Sequence, residues 1–539
     1  MDRYKYSIIA LLFLVVSISL LSIQHVQADD KVIRVGMEAA YAPFNWTQKN
    51  PDNGAVPIEG TSSQYANGYD VQVAKMLAKK LNKKVVIVKT AWNGLVPALI
   101  SGKIDAIIGG MSPTAERIKE IDFSKSYYAS SIVVVVNREG KYGKATKLSD
   151  FKEAKITGQQ GTIPYTLISQ IPDVNKQTAM ADYPQMRQAV ISGVADGYVA
   201  ERPEALTAEQ ANHSLKMISF KKEEGFQTNT EEISVAVGMR KGDADLATVN
   251  DVLADWTILK QRKLMEKMIK TQPVTEDDGK NKFFSQVFTI VRESGSQFAR
   301  GAGLTLFIAL VGTLIGLVIG LAIGVFRTKP KSSNKFLYCL DKILNGCLSI
   351  YIEVFRGTPM IVQAMVIYYG TAQAFNLNLE RTFAALLIVS INTGAYMSEI
   401  VRGGIFSVDK GQFEAAQAIG MTHGQTMTKV VLPQVIRNIL PATGNEFVIN
   451  IKDTSVLNVI SVVELYFSGN TVATQNFQYF QTFTIIAVIY FVMTFAVTRI
   501  LRLIEKKIDG PTDYLPYANQ MQVEDAAGEH YSLVGGVKK

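Results

Sequence analysis

The stretch DKGQFEAAQAIGMTHGQTMTKVVLP (residues 409–433) lies between two segments apolar enough to span a bilayer, yet it is too polar to span one itself. It carries start signals for two short helices. Asp409 is followed at the capping-box distance by Gln412, and the same spacing recurs in Thr422 and Gln425. An ordinary polar loop would not need two capped helices. We therefore predict a helical pair held at one face of a membrane.

Between the two helices, Gly420 stands where a helix end favours a residue that tolerates positive φ. Pro433 predicts the end of the second helix, because proline cannot donate to the turn behind it. The small face of Ala415, Ala416 and Ile419 allows another surface to approach the first helix closely. The pair is predicted to be a docking element for a partner.

The rest of the chain divides by composition. Its 539 residues are enough for two or three domains. Residues 29–280 have the composition of a charged globular domain, whereas residues 301–504 are dominated by long uncharged runs. The formal charge of +8 is compatible with nucleic-acid binding, but Lys and Arg at the cytoplasmic ends of membrane spans explain it better. We expect a lipid bilayer and no nucleic acid as partner.

The first residues predict export. Arg3 and Lys5 form a basic start, residues 7–23 are uncharged and apolar, and Val-Gln-Ala ends at Ala28 with small residues before a cleavage point. We predict a signal peptide over residues 1–28, with an uncleaved anchor as the alternative. The only cysteines, Cys339 and Cys347, lie near the membrane half without close histidines, so neither a metal site nor a disulfide in the external domain is expected.

Residues 29–272 alternate short strand-like runs with helical periodicity, and the pattern restarts after the apolar run at residues 132–136. This alternation predicts βαβ units and a mainly parallel sheet in each of two lobes. A strand at residues 233–237 would return the chain to the first lobe. Two crossings would make a hinge, with a ligand site in the cleft.

Four motifs carry a resemblance: EAAYAPFNW, GYDVQVAKMLA, GGMSPTAERIKEIDFSKSYY and ADGYVAERPEA. In this order they resemble the extracellular solute-binding proteins for polar amino acids (family 3). The resemblance implies a two-lobed, type II periplasmic-binding-protein-like α/β fold and a free polar amino acid as ligand.

A free amino acid presents an α-carboxylate and an α-ammonium group. Arg117 can hold the carboxylate in bidentate fashion, which lysine does less well. The resemblance implies that Glu201 takes the ammonium group, where the family usually has an aspartate. The same resemblance implies that the carboxylate also accepts hydrogen bonds from backbone and hydroxyl donors of four further residues, Gly110, Ser112, Gly161 and Thr162.

The resemblance also places Tyr41 and Trp92 as the aromatic pair that sandwiches the ligand side chain. Glu38 stands where related binders of cationic amino acids, and some of glutamine, carry an aspartate. With Glu201 and Asp52 or Glu59 nearby, this favours arginine or lysine, with glutamine second.

Residues 273–300 are predicted to be a linker followed by an apolar helical segment. This segment is either an amphipathic helix lying on the membrane or a lead-in to the first span. Five spans are predicted in the membrane domain, residues 301–508; they lie at 301–326, 357–379, 382–397, 441–463 and 476–498. The flanking cations predict an external N-terminal domain and a cytoplasmic tail, residues 509–539. Gly312, Gly316, Gly320 and Gly324 form a small-residue face for close helix packing.

The motifs RGTPMIVQ, RGGIFSVDKGQFEAAQAIG, VVLPQ and KDTSVLNVISVVEL resemble the integral membrane subunit of polar amino acid ABC importers. The resemblance implies an all-α, type I importer domain whose coupling element contacts an ATPase subunit. The implied coupling residues are Glu414, Ala415, Ala416, Gly420 and Pro433.

No Gly-x4-Gly-Lys-Ser/Thr loop occurs in the sequence, so ATP and Mg²⁺ are expected on a separate ATPase, in two copies beneath a homodimer of this chain.

Ionisable residues within a span indicate function by default, which makes Glu446, Lys452 and Asp453 candidates for the membrane path; Lys452 with Asp453 could equally be a self-neutralising pair. We therefore expect a transporter subunit rather than an enzyme. The alternatives are an amino-acid-gated channel or receptor, or a dehydratase-like enzyme. A location in the plasma membrane of a Gram-positive cell is expected.

Overall fold

The computed structural model describes residues 31–509, apart from residues 62–63, 222, 230–232, 273–282, 330–333, 376 and 477, together with residues 522–524 and 530–532. The predicted signal peptide (1–28), the start of the predicted linker and most of the predicted tail (509–539) lie outside the described residues.

The N-terminal domain is an α/β structure. In chain order its strands are β1 (Val32–Met37), β2 (Ala40–Tyr41), β3 (Asn45–Gln48), β4 (Val56–Pro57), β5 (Tyr65–Asn67), β6 (Lys84–Lys89), β7 (Ala106–Ile107), β8 (Asp122–Ala129), β9 (Ile132–Asn137), β10 (Lys155–Thr157), β11 (Asn175–Lys176), β12 (Gly197–Glu201), β13 (Leu215–Ile218) and β14 (Ser234–Met239). Its helices are α1 (Tyr69–Lys80), α2 (Leu95–Ile100), α3 (Ala115–Glu120), α4 (Ile163–Leu167), α5 (Tyr183–Ile191), α6 (Arg202–Ala211), α7 (Asp245–Ala254) and α8 (Ile258–Thr271).

Two five-stranded sheets define two lobes. The first has the order β6-β1-β7-β14-β8 and the second β11-β10-β12-β9-β13. The parallel pairs predicted from the sequence are present, since β1 runs parallel to β6 and β7, and β10 to β11 and β12. However, β9 and β14 are antiparallel to their neighbours, because each enters its sheet directly from a crossing between the lobes. The predicted return to the first lobe is confirmed, and the two crossings place a cleft between the lobes.

The C-terminal domain is helical. Its helices are α9 (Phe283–Arg327), α10 (Lys335–Gly357), α11 (Met360–Phe375), α12 (Arg381–Phe406), α13 (Lys410–Ala418), α14 (His423–Thr426), α15 (Leu432–Asp453), α16 (Leu465–Asn476) and α17 (Tyr479–Asp509). A short hairpin, β15 (Gln522–Glu524) with β16 (His530–Ser532), follows. Within the described residues, three helices are long and apolar enough to cross a membrane, namely α9, α12 and α17.

Two bent helix pairs bring the number of spans to five if each pair counts as one. The first pair, α10 and α11, bends by 116°, and the second, residues 423–460 with α16, by 58°. The bend in the first pair lies where Pro359 follows Thr358, whose backbone is extended, as the residue before a proline prefers. The predicted span at 357–379 therefore starts at a break. The fourth predicted span, residues 441–463, contains Glu446, Lys452 and Asp453. The helix is not interrupted at these charged residues, because α15 includes all three and the 3-10 turn Thr454–Ile460 follows it directly.

The predicted small-residue face of α9 packs against α12. A Cβ at Gly312 or Gly316 would lie 2.5 or 2.6 Å from side-chain atoms of Val389 and Thr393. Larger residues would therefore push the two helices apart. Because α9 is continuous from Phe283, the apolar segment before the first span is a helical lead-in rather than a separate surface helix.

The stretch at residues 409–433 forms the predicted capped pair, α13 and α14. Thr422 and Gln425 make a full capping box, whereas Asp409 accepts a hydrogen bond from the backbone N–H of Gly411, and no reciprocal bond from Gln412 accompanies it among the described contacts. The predicted helix end at Pro433 is wrong. A π-helical turn, Met427–Val431, leads directly into α15, and Pro433 lies in the first turn of that helix, where a missing N–H is tolerated.

The N-terminal domain rests on the helical domain mainly through its first lobe. Leu95 and Leu99 of α2 belong to the same apolar cluster as Tyr368 of α11. Lys103 lies over the ring of Tyr368 at 4.3 Å and donates to the backbone oxygen of Leu379 at 3.0 Å. These contacts cover the membrane-facing edge of the first lobe.

Candidate functional site

A small, nearly closed pocket lies in the cleft between the lobes. All the predicted ligand-contact residues line it except Glu38 and Gly161. The sequence did not single out the other lining residues, which are Gln159, Ile163, Pro164 and Tyr183. The cleft thus collects a guanidinium group, a carboxylate and aromatic rings from segments far apart in the chain.

Arg117 connects the two lobes. Thr114 caps α3 and so fixes the position of Arg117 in its first turn. The guanidinium donates from Nη1 to the backbone oxygen of Ser112 at 2.9 Å and from Nη2 to that of Gly161 at 2.8 Å, and it lies 5.1 Å from the centre of the Trp92 ring. A guanidinium has five N–H groups, so these two bonds leave further donors for an anion. Gly161 contributes a carbonyl here rather than the predicted donor.

Gly110 also differs from its predicted role. Its backbone N–H donates to the hydroxyl of Tyr127 at 3.1 Å, so in this structure it does not point to a ligand as a free donor. Tyr127 in turn donates to Asp70 at 2.9 Å, and Asn45 donates to the other oxygen of Asp70 at 2.7 Å. The network holds the backbone at Gly110, whose φ of +72° and closeness to Tyr41 require glycine.

Replacing Asp70 with Asn is expected to flatten the pH dependence of the domain's stability. Burial raises the pKa of Asp70 to about 7, although hydrogen bonds from Asn45 and Tyr127 oppose the rise. The folded state therefore binds a proton that the unfolded chain has released, and the Asp70 contribution to stability falls as pH rises from about 4 to 7. Urea unfolding of residues 29–272 between pH 4 and 8 measures this slope. Asp245→Asn, which changes an ion-paired carboxylate of α7 near the surface, is the matched control; equal slopes for Asp70→Asn and the original domain would contradict the expectation.

Glu201 is the carboxylate of the cleft. It precedes α6 and accepts hydrogen bonds from the hydroxyls of Tyr41 at 2.6 Å and Tyr183 at 2.9 Å. Tyr183 was missed from sequence, although the start of its helix was readable from the capping residue Asp182 and the following Pro184. Those local signals do not reveal that the first residue of α5 reaches across to Tyr41. The two hydroxyls orient Glu201 towards the cleft.

The predicted aromatic sandwich takes a different form. Both faces of Tyr41 are covered in this structure, by Phe44 at 4.7 Å and Tyr183 at 4.6 Å between ring centres. Tyr41 thus offers its edge and hydroxyl to the cleft, while Trp92 lies beside the Arg117 guanidinium. Thr162 also lines the cleft, and its hydroxyl donates to the backbone oxygen of Gln159 at 2.7 Å.

Glu38 lies behind the cleft wall. The amide of Gln159, which lines the cleft from the second lobe, donates to Glu38 at 3.0 Å and to the backbone oxygen of Ala181 at 3.0 Å. Burial raises the pKa of Glu38 to about 8, the hydrogen bond from Gln159 opposes this rise, and the charge of Asp182 adds to it. In this structure Glu38 therefore contacts a residue of the cleft wall rather than lining the cleft itself.

The residues predicted to couple to a partner are on the surface, with one exception. Glu414, Ala415 and Gly420 are exposed, but Ala416 is buried within this chain, so it cannot be part of the approachable face. Ile419 is 78% exposed and can therefore form part of this face. Of the predicted membrane-path residues, which are Glu446, Lys452 and Asp453, Lys452 is exposed and the two carboxylates are half-buried. Within the described part of the chain, no cluster of His, Cys, Asp or Glu could hold a metal ion.

Two family models match the chain. The model of bacterial extracellular solute-binding proteins, family 3, matches residues 33–271, and that of the binding-protein-dependent transport system inner membrane component matches residues 338–510. Over 167 residues, the chain is 40% identical to the glutamine transport system permease protein GlnP of Escherichia coli (strain K12), which covers 31% of this chain and 76% of the relative.

Relatives named for other substrates are similar over the same region. The arginine transport system permease protein ArtQ of Bacillus subtilis (strain 168) is 35% identical over 158 residues, covering 29% of this chain and 72% of the relative. The L-cystine transport system permease protein TcyB of the same organism is 39% identical over 167 residues, covering 31% and 71%. A crystal structure of the substrate binding protein of an amino acid ABC transporter aligns with a TM-score of 0.37 at 30% identity, covering 44% of this chain and 97% of that chain.

Proposed function

Because the chain belongs to the inner membrane components of binding-protein-dependent transport systems, and carries a family 3 solute-binding domain on the same polypeptide, we propose that it binds polar amino acids and conducts them in an ATP-driven importer. A role in amino-acid transport rather than catalysis follows from the family. The substrate, the ATPase and the assembly are proposals.

One observation carries the binding role. Arg117 and Glu201 face one closed cleft from different lobes, and each is oriented by neutral partners rather than by an opposite charge. The cleft therefore offers a cation and an anion to a zwitterion, whose α-carboxylate and α-ammonium can each replace a neutral partner with a charged one. The remaining predicted contacts, Ser112, Thr162 and Trp92, line the same cleft.

We propose arginine or lysine as substrate, with glutamine second. Glu38 and Asp182 lie behind Gln159 with a single cation, Lys89, electrostatically coupled to both. A cationic ligand side chain close to Glu38 would favour the ionised form of this carboxyl group and lower its raised pKa, so that the ligand itself would bring out the matching negative charge. The sequence of the membrane domain does not help to choose between these substrates, because relatives named for glutamine, arginine and cystine resemble it to a similar degree.

The assembly follows from what one chain provides. We propose a homodimer, because five spans make half of a translocation path in this family, with two ATPase subunits that bind ATP and Mg²⁺. The cations after the first and last spans support a cytoplasmic C-terminus and an external binding domain. We propose the plasma membrane of a Gram-positive cell as the location, because the binding domain is fused to the membrane domain. Glu446, Lys452 and Asp453 are proposed for the path through the membrane.

In the proposed cycle, the amino acid holds the two lobes closed over Arg117 and Glu201, and the closed domain rests on the membrane domain. ATP binding by the partner moves the coupling element formed by α13 and α14, and the path opens outward. Hydrolysis resets it.

Calorimetric titration of residues 29–272 with arginine, lysine, histidine, glutamine and glutamate tests the substrate. We expect the tightest binding for arginine or lysine. Tight binding of glutamine without binding of arginine or lysine would refute this preference.

Uptake of radiolabelled amino acid into proteoliposomes that contain the chain and its ATPase tests the importer function. We expect accumulation only when ATP is hydrolysed. Flux without ATP would instead support the amino-acid-gated channel, and conversion of the amino acid to a product would support an enzyme.

A further inference from the structure

Two charged residues beside the cleft contact the membrane domain directly. Lys89, at the end of β6 in the first lobe, donates from Nζ to the hydroxyl of Thr471 in α16 at 2.8 Å. Asp182, which caps α5 in the second lobe, lies beside the side chains of Asn470 and Tyr479, and the Tyr479 hydroxyl donates to the side-chain oxygen of Asn470. Tyr479 also lines a cavity against Pro184 and Gln188 of α5. One short membrane segment thus contacts both lobes.

These contacts lie next to the ligand site. Asp182 immediately precedes Tyr183, and Lys89 is three residues before Trp92; both aromatic residues line the cleft. Because the lobes are joined by two crossings, opening the cleft changes the separation of Lys89 and Asp182. Asn470 and Thr471 are neighbours on one helix, so their own spacing is fixed. Both contacts can therefore be made together only over a narrow range of lobe angles.

Burial makes the loss of either contact costly. Lys89 and Asp182 are only 7% and 8% exposed, and Thr471 is 1% exposed. This burial lowers the pKa of Lys89 to about 7 and raises the pKa of Asp182 to about 6, because it makes the charged form of each group less favourable. A charged group that stays buried without its hydrogen-bond partner is strongly unfavourable.

The other polar contacts between the domains cannot report lobe closure. Lys103 contacts Tyr368 and Leu379, Glu59 accepts a hydrogen bond from Arg381 at 3.1 Å, and Lys49 forms an ion pair with Glu293 at 3.3 Å. Lys103, Glu59 and Lys49 all belong to the first lobe. Those contacts would be the same with the cleft open or closed.

Resting on the proposed importer function, we propose that Asn470, Thr471 and Tyr479 form a closure latch. These three uncharged polar side chains hold the binding domain on the membrane domain when Lys89 and Asp182 are brought together by lobe closure, and they release it when the lobes part. The latch is the part of the membrane domain that distinguishes loaded from empty binding domains.

The test uses the full chain with its ATPase in proteoliposomes. Thr471→Val and Tyr479→Phe, combined, remove two latch hydroxyls without altering the binding domain. Thr484→Val is the matched control, because that hydroxyl bonds only to the Phe480 backbone oxygen of its own helix among the described contacts. Docking is read from thiol cross-linking of Gln188→Cys to Gln478→Cys, which line one cavity between the domains, after Cys339 and Cys347 are changed to serine.

We expect L-arginine or L-glutamine, whichever binds, to raise cross-linking in the reporter chain and in the Thr484→Val control. The latch variant should lose this rise, and its uptake at low substrate should fall about tenfold or more, as expected for lost hydrogen bonds to buried charges. An undiminished ligand-dependent rise in the latch variant would overturn the proposal. Cross-linking needs no ATP, so it remains readable if ATP-driven uptake fails in every chain, an outcome that would reject the importer function instead.

Discussion

Arg117→Ala is expected to lower the affinity for the amino acid by about 30-fold or more, because it leaves the α-carboxylate buried without its charged partner. Arg117→Lys should recover only part of the loss, since an ammonium group cannot reproduce the paired N–H groups of a guanidinium. The loss should be larger than for a simple anion contact, because Arg117 also joins Ser112 of one lobe to Gly161 of the other. Calorimetric titration of residues 29–272 measures it.

Arg138→Ala is the matched control for this change. Arg138 forms an ion pair with Glu209 at 2.7 Å, away from the residues that line the cleft. Its replacement should leave ligand affinity within about twofold, as exposed ion pairs contribute little. Equal affinities of the Arg117→Ala variant and the unchanged domain would refute the assignment of Arg117 to the carboxylate.

Gly420→Ala is expected to reduce ATP-driven uptake by about 5- to 30-fold while ligand affinity stays unchanged. Gly420 has a φ of +79°, and no atom lies within 4 Å of an added Cβ, so the substitution acts through backbone strain alone. A side chain in this left-handed conformation costs about 1–2 kcal/mol, and this cost lowers the equilibrium constant for forming the turn that ends α13 by the stated factor. Uptake and calorimetry on the same variant separate coupling from binding.

Gly424→Ala provides the same chemical change nearby without the strain. Gly424 lies in α14, its φ is not positive, and an added Cβ there also meets no atom within 4 Å. This control should keep normal uptake. If both variants transport equally well, the turn at Gly420 is not part of the coupling element. Ile419→Asp, which changes the most exposed apolar residue of the turn, should abolish uptake if the ATPase docks there.

Local patterns accounted for the features that were predictable. The glycine face of α9 follows from a four-residue repeat, the capping box from Thr422 and Gln425, and the membrane helices from runs of apolar residues. Each signal lies within a few residues of chain, where helical geometry fixes which side chains are neighbours. The prediction for Pro433 was wrong because a proline is compatible both with the residues after a helix end and with the first turn of a helix. The local sequence does not distinguish these two positions.

The sequence alone therefore determined the two-domain plan, the lobes and a cleft that contains Arg117 and Glu201. Only the tertiary structure decided how these groups are oriented: Tyr41 of the first lobe donates to Glu201 of the second, and Gln159 of the second lobe donates to Glu38 of the first. It also brought Asp182 to Tyr479, nearly 300 residues further along the chain. Such contacts depend on the relative placement of whole lobes and domains. That placement is set by the sum of many packed surfaces, and no short stretch of sequence encodes it.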